Sequence, residues 1–143
     1  MKISTQSSSL AVALAILVGQ ALPLAAQSPA PEGAKVYFIM PKDGDEISGA
    51  VTVKFGLAGM GVAPAGVDKK HTGHHHLLID VEKVDLSTAL PADDNHKHFG
   101  GGQTETSLTL KPGKHTLQLL LGDHNHVPHT PPVMSEKIAI TVK

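Results

Sequence analysis

Ten histidines in 143 residues are the feature of this chain most able to do chemistry, and they are not scattered. His71, His74, His75 and His76 form one group, His96 and His98 a second, and His124, His126 and His129 a third, with His115 alone. Neutral imidazole is a strong ligand for copper, zinc and nickel, and such sites usually draw three or four ligands from separate segments. His74 and His76 stand two residues apart, as do His96 and His98, and His124 and His126. In extended backbone that spacing turns both rings to one side. The ligand set expected from this pattern is His74, His76, His98, His124, His126 and His129, for a copper or zinc ion.

Other residue types narrow the chemistry. Cysteine is absent, so no thiolate can act as nucleophile or soft ligand. All 12 basic residues are lysines, which excludes an arginine fork for phosphate or carboxylate. The formal net charge of −1 gives no reason to expect nucleic acid or an acidic membrane surface as partner. Met60 and Met134 could add thioether donors but are better read as core filling. Asp93, Asp94, Asn95, Asp123 and Asn125 do not match a calcium loop and are better placed to orient histidine rings. Gly100-Gly101-Gly102 lacks the Gly-Lys-Ser or Gly-Lys-Thr of a phosphate loop, and close backbone packing is the better reason for it.

The elements that must position these side chains read as strands. Val51, Val53, Phe55 and Leu57 alternate with Thr52, Lys54 and Gly56, so one face is buried. With that stretch, 51–57, lettered B, short period-two stretches recur at 36–40 (A), 74–81 (C), 104–110 (E), 115–121 (F) and 137–142 (G), separated by turn residues, with no long 3.6-residue pattern. That rhythm predicts an all-β domain, an immunoglobulin-like antiparallel β-sandwich of about seven strands. A short strand D is expected within 82–98. Lys111-Pro112-Gly113-Lys114-His115 resembles the corner between strands E and F, with His115 where a tyrosine commonly sits, so His115 is assigned a structural role. In this topology the B–C, D–E and F–G connections meet at one end, which would bring the three histidine groups together there.

Residues 1–26 read as a secretory signal: Lys2, the apolar run Leu10 to Val18, and small residues at Ala21, Ala25 and Ala26. That run is too short to span a bilayer. Residues 27–34, rich in proline and small side chains, are expected to form a flexible leader, and 35–143 the folded domain. A periplasmic or secreted location follows as an expectation.

Four segments carry a family resemblance: 59–66, Thr72 to Asp80, His98 to Thr106, and Gly122 to His129. In order and in residues they resemble a bacterial exported family catalogued as domain of unknown function 4399, over about residues 36 to 142. The resemblance marks these loops as the family's signature and implies a site there without naming its ligand. Periplasmic copper carriers of the CopC type are a looser analogy, resting on fold alone. The leading expectation is therefore a periplasmic metal-binding protein that buffers or delivers copper or zinc. The alternative is a non-catalytic interaction module gripping an envelope protein, peptide or glycan through the same loops. A copper or zinc metalloenzyme stands third, because no independent catalytic pair is present.

Overall fold

In the computed structural model, which describes residues 26–143, the chain builds nine strands and, among the described residues, no helix. They are β1 (Lys35–Met40), β2 (Glu46–Ile47), β3 (Val51–Ala58), β4 (Gly61–Val62), β5 (Thr72–Ile79), β6 (His96–His98), β7 (Glu105–Leu108), β8 (Gly113–Gly122) and β9 (Ile138–Val142). The signal-like segment lies outside the described residues except for Ala26.

The alternation in β3 puts Val51, Val53 and Phe55 into the core and leaves Thr52 and Lys54 exposed. Leu117, Leu119 and Leu121 of β8 meet them from the facing sheet, with Ile140 and Val142 of β9. Two sheets result: a three-stranded one in the order β1-β3-β7, and a six-stranded one in which β2-β9-β8-β5-β4 are neighbours and β6 also pairs with β5. This is the all-β sandwich expected, with A, B and E in one layer and G, F and C in the other. The short strand in the 82–98 interval is β6, and it pairs antiparallel with β5 rather than with β7.

The corner residue takes the predicted role. His115 Nε2 donates to the Lys111 carbonyl four residues upstream at 2.7 Å, and Nδ1 donates to Asp80 at 2.7 Å. The Asp80 hydrogen bond, then that to Lys111, raises the imidazole above its ordinary value, because both ring nitrogens bond best as N–H donors.

β5 departs from a simple half-buried strand: seven of its eight residues are buried. His75, Leu77 and Ile79 face the sandwich interior, and His75 lies against Phe55 with ring centroids 5.0 Å apart. The outward side chains His74, His76 and Leu78 are buried by what crosses over them. The connection after β5 brings Leu90 onto Leu78 and Leu120, a second small apolar cluster joined by Val81, Val84 and Leu86. The outer face of this sheet is thus roofed over Leu78 and Leu120, next to the outward histidines of β5.

Candidate metal centre

The i, i+2 spacing works where the backbone is extended. His74 and His76 both point outward from β5, and the β5–β6 register sets His76 directly opposite His98. Cross-strand partners share a face, so three imidazoles from two strands converge. The Nε2 atoms of His74 and His76 lie 3.0 Å apart, and those of His74 and His98 3.2 Å apart. Two nitrogens held by one ion at the usual 2.0–2.1 Å, subtending tetrahedral to right angles, would be about 2.9 to 3.4 Å apart. The observed spacings fall in that window. This group, His74, His76 and His98, can hold a metal ion.

The site lies on the outward face of the six-stranded sheet, close to the end where the loops gather, rather than among the loop tips. His74 is opposite Gly122, the last residue of β8. A side chain at Gly122 would reach within 2.8 Å of His76 Nε2, so the missing Cβ is what admits that ring. Gly100 similarly lies under the His98 ring, and a Cβ there would overlap it. Gly73 leaves room for the His129 ring, 2.9 Å from where its Cβ would be. None of these three glycines is at a positive φ; their function is space.

Of the other expected ligands, His126 is beside the group. Its ring stacks on His98 with centroids 4.6 Å apart and lies 5.1 Å from His74 and 6.1 Å from His76. His124 turns away: residues 124 and 125 form a turn, so the spacing that aligns rings on a strand separates them here. Its Nε2 accepts from the Asn125 amide at 2.8 Å, and Nδ1 faces Asp68 at 3.6 Å. His129 is buried and its Nε2 donates to the Thr72 carbonyl at 3.1 Å, tying the F–G connection to β5. His96 bonds Asp93 at 2.8 Å. The ring contacts therefore gather His74, His76, His98 and His126, and leave His124 and His129 with other partners.

The electrostatics favour neutral imidazoles. Burial, then the neighbouring His98 and His126, pushes His74 down to about 4, and burial with the neighbouring histidines takes His76 to about 3. His98 is lowered too, by burial and by His126. Neutral nitrogens crowded together are poor places for protons and good ones for a single shared cation. His74 Nδ1 and His76 Nδ1 are buried without a hydrogen-bond partner among the described residues, so the carboxylate or carbonyl that often steadies a metal-bound imidazole is missing at both.

Asp123 supplies nearby negative charge, which acts on His74 in the direction of a bound cation. Burial alone would push its carboxyl up, but the Ser28 hydroxyl and the N–H groups of Asn125 and Val127 outweigh this and hold it below the usual carboxylate range. The acid's place in a Gly-Asp-His-Asn turn was the available sequence signal, since Asp readily bonds the backbone two residues on.

No curated protein matches the chain. Among solved structures, an endo-beta-1,4-mannanase from Thermotoga petrophila matches at 19% identity with a TM-score of 0.46, covering 77% of this chain and 20% of that one. The chain therefore spans about a fifth of that enzyme's length, and the likeness carries no functional argument. Among the described residues, no helix is long and apolar enough to cross a membrane. A family model described as "Domain of unknown function (DUF4399)" matches residues 53–143, a stretch that contains all four signature segments and every histidine of the site. The chain belongs to the DUF4399 family.

Proposed function

We propose that this protein binds a transition-metal ion, copper or zinc, through His74, His76 and His98, and that it buffers or delivers that ion in the bacterial envelope. One observation carries the reading: the Nε2 atoms of these three histidines, drawn from two strands, are spaced at 3.0 and 3.2 Å, as nitrogens around one ion would be. The all-nitrogen set suits Zn(II) or Cu(II) better than Cu(I), which favours softer sulfur donors. The N-terminal signal reading supports export, and the CopC-type carriers offer a precedent of function by analogy.

The protein is read as a binder rather than an enzyme. The test is elemental analysis of tag-free protein after loading with Cu(II) or Zn(II) and extensive dialysis. One equivalent retained, and lost in His76→Ala with the fold intact, is the expected result. Retention at trace level only, or unchanged in His76→Ala, overturns the reading.

One observation favours a second reading, an interaction module for an extended peptide or glycan. A groove of about 670 Å³ runs between β6 and β7, lined by Asp94, Lys97, Phe99, Thr106, Leu108 and Lys111 among others. Binding of such a ligand in the presence of chelator would favour this reading over the metal one.

A further inference from the structure

The Pro-rich stretch before the first strand is laced onto the connection that carries His126. Pro29 and Thr130 form a parallel bridge, Thr130 N–H donates to the Ser28 carbonyl at 3.0 Å, and Ala30 N–H donates to the Thr130 carbonyl at 3.0 Å. The Gln27 amide donates to the carbonyls of Leu86 and Pro128 and accepts from the Thr130 hydroxyl at 2.7 Å. Four residues thus join the roof over the sheet to the F–G connection.

Ser28 reaches further. Its hydroxyl donates to one carboxylate oxygen of buried Asp123 at 2.8 Å, and the other oxygen accepts from Asn125 and Val127. The Asp123 carbonyl accepts the His126 N–H at 2.9 Å. His126 itself is in the left-handed region, φ 68°, a conformation that a non-glycine residue keeps only when its surroundings hold it. On its other side the His126 carbonyl accepts from Leu90 N–H at 2.9 Å. The backbone of His126 is therefore pinned, while its side chain stacks on His98 and its buried Nδ1 has no hydrogen-bond partner among the described residues.

We propose that His126 is the fourth nitrogen donor of the metal site, and that residues 27–30 are the clasp that holds it in reach, acting through Ser28 and Asp123. This rests on the metal reading of His74, His76 and His98. The ligand nitrogens of those three all lie within 4.8 Å of one another, and His126 is outside that set. Its ring must turn off His98 to complete a four-nitrogen shell. A pinned backbone with no hydrogen bond at the ring's buried Nδ1 among the described residues suits that motion, because only side-chain torsions are spent. Ser28 is a positioning residue here: it touches no ion and acts by fixing the turn.

The test uses Co(II) as a spectroscopic substitute in the tag-free full chain, since its visible absorption is strong in four-coordinate tetrahedral sites and weak in sites with more ligands. Wild type is expected to show the strong bands. In His126→Ala a water takes the fourth position, so the bands are expected to shift in energy and intensity rather than vanish, and binding to weaken by at least the roughly ten- to hundredfold that loss of an outer partner costs. Ser28→Ala is expected to move both readouts the same way by about tenfold. Ser28→Thr, which keeps the hydroxyl, restores them, and Ser28→Ala adds nothing in the His126→Ala background. Bands and affinity both unchanged in His126→Ala overturn the fourth-ligand assignment. Additive effects of Ser28→Ala and His126→Ala, or no effect of Ser28→Ala, overturn the clasp. Wild type that retains no Co(II), Cu(II) or Zn(II) at all refutes the underlying metal reading instead.

Discussion

Acid should destabilise the metal-free protein well before its carboxylates protonate. His74 and His75 are held down to about 4 and His76 to about 3, chiefly by burial, and all three are at most 1% exposed. In the unfolded chain each returns to an ordinary value near 6.5. These groups are depressed in the fold, so the unfolded state binds more protons between roughly pH 6.5 and pH 4, and stability falls as pH falls through that window. Between pH 7 and pH 5 each histidine costs about 2 kcal/mol, and the three together about 6 kcal/mol. The whole stability of a small domain is about 5–15 kcal/mol. His98 acts in the same direction, while His115, whose value is raised, stabilises below neutrality and loses that contribution as pH rises. Urea unfolding of chelator-treated protein, followed by circular dichroism at pH 7 and pH 5, reads the effect as a fall in midpoint. His75→Leu isolates one share: His75 faces the core, neither of its ring nitrogens has a partner among the described residues, and leucine replaces it without that penalty. This variant should be more stable than wild type at both values and lose about a third of the pH dependence. A midpoint unchanged between pH 7 and pH 5 would refute the assignment of these three as buried neutral imidazoles.

Gly122→Ala puts a methyl group 2.8 Å from His76 Nε2; it should weaken metal binding about tenfold, read by competition against a calibrated chelator, and by overpacking a buried site cost about 1–3 kcal/mol in urea unfolding. Equal affinity would show that the His76 ring has another place to go. Leu90→Ala empties the small cluster over Leu78 and Leu120 and should cost about 2–3 kcal/mol in urea unfolding; a cost below about 0.5 kcal/mol would mean the roof is not packed. His115→Ala removes the bonds to Lys111 and Asp80 at the E–F corner and should cost about 1–2 kcal/mol without changing metal affinity, so a change in affinity would contradict its structural assignment.

The elements readable in the sequence are those whose environment repeats. β3 shows it directly, since Val51, Val53 and Phe55 pack inward while Thr52 and Lys54 meet water. The His74–His76 pairing was legible because an extended strand has period two, and the same rule placed His98 on the site's face of β6. It failed for His124 and His126 because the chain turns there, and His126 takes a left-handed conformation that no period encodes. The roof of the sheet was hidden for a related reason. Val84, Leu86 and Leu90 are isolated apolar residues in an irregular segment, and only the tertiary arrangement shows that they share one target. Residues 27–30 read as a leader from composition, while their hydrogen bonds reach partners from 59 to 103 residues away. Gly100 and Gly122 carry no local signal of what lies over them, because the rings they admit come from elsewhere in the chain or fold back over the backbone.

X-ray absorption at the bound ion, on tag-free protein loaded with one equivalent of zinc or Cu(II), counts ligands without relying on a variant. The expected spectrum has a first shell at about 2.0 Å with the outer scattering of at least three imidazoles. Outer scattering from no imidazole, or from one or two only, would contradict a centre built on His74, His76 and His98.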